Sequence, residues 1–193
     1  MTDIVKTIRE EISRLNHKYM TEVQDYDFYN EHIRLVVNNA MVLADKYDAD
    51  KEIVELGALL HDIALLRRTI DDDYVVVKGD HHKIGAEIAV DMLERLNYPE
   101  EKIERVRKCV YNHRSSKNST TIEETCVADA DILAHFDNLP MLFQVALVLK
   151  GMSLSETRNE VKQWLAGDYD DLSERTKIAF KDKYENIVKI LFN

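Results

Sequence analysis

Residues 58–68 read ALLHDIALLRR. An imidazole and a carboxylate, His61 and Asp62, stand side by side within an apolar run of Leu59, Leu60, Ile63, Leu65 and Leu66. A buried carboxylate is costly unless it is paired or bound to a cation. The stretch is therefore either a network satisfied by its neighbours or a functional site. The pair alone does not decide. With 7 His and 19 Asp in 193 residues, chance gives about 0.7 such pairs.

The surrounding chain reads as helix. Only 5 Gly and 2 Pro interrupt it, so long helices are expected. Ile4, Ile8, Ile12 and Leu15 recur at three- and four-residue steps, and so do Ile33, Val36, Val37, Ala40, Met41, Leu43 and Ala44. The third segment, 51–67, is apolar nearly all round from Leu56, which predicts a central buried helix. Further helices are expected at 81–96, at 99–112 with Pro99 in the first helical position, and at 121–137. Another opens at Pro140 and stops near Gly151. The next is capped by Ser153 or Ser155 and closed by Gly167, and a last one spans 171–191. The exception is RTIDDDYVVVKGD, residues 68–80. Its acids, β-prone Tyr74–Val77 and Gly79 read as a long loop or a short hairpin, and long loops in compact domains are usually functional or mobile.

Composition narrows the function. At 193 residues and 45% hydrophobic content the chain suits one domain, 1–193, with a single core. A net charge of −10 argues against a protein that coats duplex nucleic acid, which needs clustered Lys and Arg. It leaves room for a small anionic substrate in a locally basic or metal-lined pocket. Cys109 and Cys126 lack metal-site spacing and read as reduced thiols of a cytoplasmic protein. The charged N-terminus has no apolar signal core, and no apolar run approaches the roughly 20 residues of a membrane span. Apolar helical faces in the last third suit a homodimer.

Seven histidines are present, and helices around a core can aim several of them at one point. His32 opens the second helix. His61 and Asp62 lie in the most buried one. His81 and His82 precede Gly85, and His113 ends the fifth helix in VYNH. VADADIL then sets Asp129 and Asp131 in an apolar stretch. These two lie about 200° apart on a helix, so at most one faces inward. Nitrogen and carboxylate ligands without thiolates suit Mn, Fe, Zn, Co or Ni. On a helix His61 and Asp62 point about 100° apart, which lets the carboxylate bridge two ions while the imidazole holds one. His17 and His135 read as surface or packing residues, and Asp71–Asp73 as a solvated run. No Gly-rich phosphate loop or Ser or Cys nucleophile motif exists.

EHIRLVVNNAMVLA, GALLHDI, HHKIGAEIA, YNH and VADADILAHF, in that order over about 26–137, resemble the HD superfamily of metal-dependent phosphohydrolases. Residues 138–193 resemble the C-terminal helices of small HD proteins less specifically. The resemblance implies an all-α fold with metal ligands His32, His61, Asp62 and Asp131. The context ADIL favours Asp131, which leaves Asp129 as a supporting residue behind the ligands. His81 and His113 match positions that supply a second metal in dinuclear branches, and His82 competes with His81. One or two divalent ions (Mn, Fe, Ni, Co, Zn or Mg) are implied. His61 and Asp62 would carry the catalysis. HDIAL departs from the HDIGK of cyclic-dinucleotide phosphodiesterases, putting Leu65 where a Lys is expected. The nearest phosphate-binding bases are Arg67, Arg68 and Arg114. The implied activity is hydrolysis of a phosphate ester of a nucleotide or other small phosphorylated metabolite. The runners-up are a di-iron oxygenase of HD type on the same ligands and a non-catalytic metal- or nucleotide-binding domain.

Overall fold

The structure is a computed structural model and describes residues 2–18, 27–66 and 74–192, with backbone alone for 74–78 and 149. The elements are α1 (Asp3–Asn16), a π-helical turn (Tyr29–Ile33) running into α2 (Arg34–Tyr47), α3 (Lys51–Leu60), α4 (Ile63–Leu66), α5 (Tyr74–Arg95), α6 (Glu100–Asn112), a 3-10 turn (Ser116–Asn118), α7 (Ile122–Asp137), α8 (Leu139–Gln144), a second π-helical turn (Val145–Leu149), α9 (Leu154–Asp171) and α10 (Glu174–Phe192). The fold is all-α, as expected, and no strand occurs among the described residues. None of the described helices is long and apolar enough to cross a membrane.

α3 is the central helix. Asp50 caps it, its side chain accepting from the Glu52 and Ile53 amides, and so satisfies orphan donors of the first turn. Ile53, Val54, Leu56, Ala58, Leu59 and Leu60 are all fully buried, because α1, α2, α6 and α7 pack around this one helix. Polar ties at its start fix the angle of α6. Glu52 accepts from Tyr98 Oη (2.6 Å) and Lys102 Nζ (2.7 Å), and Arg105 reaches Asp50 at 2.9 Å. Gly57 permits a close approach: a Cβ there would stand 2.7 Å from Cys109 Cβ, whereas one on Gly85 would make ordinary contact, 3.5 Å from the His61 carbonyl oxygen.

Several boundaries differ from the sequence reading. The helix expected over 51–67 breaks at His61–Asp62 and resumes as α4, with the Leu65 amide donating to the Asp62 carbonyl at 2.9 Å. Residues 67–73, including Arg67, Arg68 and Asp71–Asp73, lie outside the described residues. The second half of the expected 68–80 loop or hairpin is helix, the first two turns of α5. β-Branched residues cost only a few tenths of a kcal/mol each in a helix, which the packing of α5 along α6 outweighs. Pro99 caps α6 rather than entering it. Ser153 caps α9 through a full capping box with Glu156, and the helix runs through Gly167 to Asp171. Gly167 has open space around it, and a helix-interior glycine costs about 1 kcal/mol, too little to stop a helix anchored by Val161 and Leu165.

A second apolar cluster joins Ile132, Phe136, Leu142, Ala146, Val161, Leu165 and Leu172. Leu133 packs against both clusters, so α7 links the central bundle to the C-terminal helices. Gly57→Ala is expected to lower stability by about 1–2 kcal/mol, because the better helix propensity of alanine, about 1 kcal/mol, offsets only part of the clash with Cys109. Urea unfolding measures it. Unchanged stability would mean that α3 and α6 separate without strain.

Candidate metal centre

The break after α3 turns His61 and Asp62 toward one point between helices. His61 is wholly buried and Asp62 only 7% exposed. The His61 Nδ1–H donates to the Ala58 carbonyl at 2.8 Å, which leaves Nε2 for the centre. His113, capping α6, does the same: Nδ1 donates to the Val110 carbonyl at 2.6 Å. His32 comes from the π-helical turn before α2, a geometry often found at functional sites. Among the contacts that hold that turn, the Tyr29 amide donates to Asn16 Oδ1 (2.9 Å) and Asn138 Nδ2 to the Glu31 carbonyl (2.9 Å). The Phe28 ring stacks on His32 at 5.1 Å. His81 projects from α5 and Asp131 from the middle of α7.

These six side chains converge. His32 Nε2 lies 3.2 Å from His61 Nε2 and 3.1 Å from Asp131 Oδ1. His81 Nε2 lies 3.0 Å from His113 Nε2. Asp62 stands between the two imidazole pairs and divides its oxygens. Oδ2 is 3.4 Å from His61 Nε2 and 3.6 Å from His32 Nε2. Oδ1 is 3.2 Å from His81 Nε2 and 3.8 Å from His113 Nε2. Two groups of buried ligand atoms result, His32–His61–Asp62 and Asp62–His81–His113.

The donor set fits cations. His61 and His113 spend their Nδ1 protons on carbonyls, so each neutral ring turns an Nε2 lone pair toward a second imidazole about 3 Å away. Such an arrangement needs a proton or a cation between the nitrogens. The protein alone uses a proton. Burial would depress the His61 pKa, but the Asp62 and Asp131 carboxylates overcome it and raise it to about 9. Burial, then the His61 charge, pushes His113 down to about 4. The Asp131 carboxyl, despite burial, is held well below the usual range by His32 and His61. Asp62 Oδ1 and His32 Nδ1 are buried and make no hydrogen bond among the described residues. Divalent ions would take the place of the proton and satisfy Asp62 Oδ1.

The other expected residues lie outside this cluster. Asp129 faces the opposite side of α7, where it accepts from Ser116 Oγ, the Ser173 amide (2.8 Å) and Ser173 Oγ (2.5 Å). His82 contacts His81 and Tyr111 edge-on, at 5.9 and 5.6 Å. It lines a groove of about 630 Å³ with Tyr111, Asn112, Arg114, Ser115 and Asn118. Arg114 Nη1 donates to the Gly79 carbonyl at 3.2 Å. His135, read from sequence as a surface or packing residue, stacks on His32 at 5.6 Å and accepts a place beside Asp131. Its spacing from Asp131, one helical turn, is visible in the sequence but is shared by many helix pairs.

Comparison with known proteins gives one family and one fold. A family model described as HD domain matches residues 29–135. The crystal structure of Bacillus subtilis YpgQ is 20% identical, the alignment covering 99% of this chain and 94% of that one, with a TM-score of 0.71. YpgQ in complex with ADP aligns at 18% identity, over 96% and 93% of the two chains, with a TM-score of 0.68. A HD-superfamily hydrolase from Bacillus thuringiensis is 21% identical over 96% and 93%, with a TM-score of 0.66. At these identities the likeness is one of fold.

Mn²⁺ or Co²⁺ added to chelator-stripped protein at about a hundred times its Kd is expected to stabilise the fold by about 2.7 kcal/mol, or some 5–10 °C in melting temperature for a chain of this size. Asp62→Ala should abolish that shift. An equal shift in the variant would place the ions elsewhere.

Proposed function

This chain belongs to the HD-domain family, and from that premise we propose that it is a cytoplasmic, single-domain, metal-dependent phosphohydrolase acting on a nucleotide or other small phosphorylated metabolite. One observation carries the reading: the single buried carboxylate of Asp62 offers one oxygen to His32 and His61 and the other to His81 and His113. A carboxylate so placed suits a pair of cations, each completed by two imidazoles, with Asp131 as a further ligand on the first.

Divalent ions held there supply Lewis acidity, which acidifies water and neutralises charge on phosphoryl oxygens. The chain does the rest. The carbonyls of Ala58 and Val110 fix the tautomers of His61 and His113, so both present Nε2 inward. Leu60 and Ile63, which flank His61 and Asp62 in the chain and are fully buried, belong to an apolar surround of low dielectric that would strengthen electrostatic contacts with a developing negative charge. Arg114, which lines the groove and follows His113 in the chain, would receive a phosphate through its guanidinium. Arg67 and Arg68 follow the motif closely enough in sequence to share that role. The exposed ring of Tyr111 offers a face to a base or other planar group, and the groove volume falls in the range of small-molecule sites. The ADP bound by YpgQ supports a nucleotide over other phosphorylated metabolites.

Incubation of Mn²⁺-loaded protein with a panel of nucleotides and sugar phosphates, read as inorganic phosphate or pyrophosphate released, tests the activity. His61→Ala and Asp62→Ala are expected to lose at least about a thousandfold in kcat. Arg114→Ala should act mainly on KM, by about tenfold. Full activity in the His61 and Asp62 variants would misplace the site. Dioxygen uptake by iron-loaded protein, with no phosphate release under Mn²⁺, would replace hydrolysis by oxygenase chemistry on the same ligands.

A further inference from the structure

His135 lies at the third corner of the cluster. It sits one turn beyond Asp131 on α7, and its ring is stacked on His32 with planes 18° apart. A ring nitrogen of His135 lies within 4.8 Å of ligand atoms of both His32 and Asp131. His135 Nδ1 stands 2.9 Å from Asp168 Oδ2. The carboxylate can only accept, so Nδ1 carries the proton and Nε2 is the nitrogen left for an electrophile. A carboxylate holding the far nitrogen of an imidazole is the usual support of a metal-bound histidine. His61 and His113 show the same arrangement with backbone carbonyls in place of the carboxylate. Asp168 belongs to α9, beyond the residues matched by the family model. Both side chains are about a quarter exposed, at 26% and 25%, so this corner opens to solvent whereas His61 does not.

We propose that His135, oriented by Asp168, is an additional metal ligand: it completes, on the solvent side, the cation position that His32 and Asp131 hold. The assignment rests on the reading of the cluster as a metal centre. It adds a residue that the sequence pattern left out, and it gives the C-terminal helices a direct hold on the site. A solvent-facing position with one imidazole more is also where an incoming cation would first bind.

Full-length protein, stripped with chelator and titrated with Co²⁺, tests this without recourse to activity. The readouts are bound metal per chain by elemental analysis, affinity by calorimetry and the visible ligand-field band, which responds to ligand number. In His135→Ala one Co²⁺ position is expected to weaken about 10–100-fold, the loss typical of a disrupted ligand shell, with a changed band. Asp168→Asn should weaken the same position by a smaller factor. In His135→Gly, free imidazole should restore the band, which the repair of a mere ion pair would not do. Wild-type stoichiometry, affinity and band in both His135→Ala and Asp168→Asn would overturn the proposal and leave His135–Asp168 as a structural ion pair. If His135→Ala does not fold, Asp168→Asn decides by the same criteria. Absence of Co²⁺ binding in the unmutated chain would instead overturn the metal centre itself, and this inference with it.

Discussion

A carboxylate in the middle of an apolar bundle constrains everything around it. Asp62 is almost wholly buried among residues that cannot solvate it, and an isolated ion there would cost several kcal/mol. The fold answers with four imidazoles and, in the protein alone, at least one proton on His61. The carboxylate is held well below the ordinary range, which burial by itself would oppose. Its surroundings are thus built for positive charge. Whatever supplies that charge must sit between helices that come from distant parts of the chain.

The backbone devices of the fold serve that convergence. The break between α3 and α4 lets two consecutive residues both face the centre, which an unbroken helix would set about 100° apart. The π-helical turn before α2 presents His32 from the opposite side. α5 runs past the His61 carbonyl at Gly85 and sets His81 against His113. The break and the π-helical turn are local departures from ideal helix, and each lies next to a side chain of the cluster. The regular part of α3, by contrast, carries mainly apolar packing, with polar ties only at Glu52 and Glu55. Rigidity there and irregularity at the edge of the centre are complementary: the imidazoles are oriented by hydrogen bonds to a backbone that the core holds still.

Much of this was legible in the sequence, because helical periodicity and an interrupted apolar run are local signals. The helices expected at 99–112 and 121–137 occur within a residue of those bounds and the start of the one expected at 51–67 holds, and His32, His61, Asp62, His81, His113 and Asp131 stand close together. What was not legible depended on longer range or on weak preferences. Tyr74–Val77 has strand propensity, yet the pairing of α5 with α6 makes it helix. Gly167 reads as a terminator but is only an exposed helix-interior glycine. Asp168 is 33 residues from His135, on an element with no motif, so nothing local linked them. The Asp131–His135 spacing was visible, but an i,i+4 pair on a helix is too common to stand out without its third partner.

The two acids of VADADIL show how one helix does two things. Asp129 and Asp131 are two residues apart and therefore on opposite faces of α7. Asp131 faces the imidazoles. Asp129, fully buried, collects donors from Ser116 and Ser173, and so fastens the turn after α6 and the segment before α10 to the same helix. An apolar residue at 129 would leave those part-buried donors without this acceptor. One at 131 would leave His32 and His61 with Asp62 alone as their near counter-charge. The first loss loosens the C-terminal helices, and the second empties a corner of the centre. Because both acids hang from one rigid helix, and because Asp168 returns from α9 to hold His135 beside Asp131, the packing of the last third of the chain and the geometry of the cluster are parts of one structure. The C-terminal helices thereby form a wall of the site.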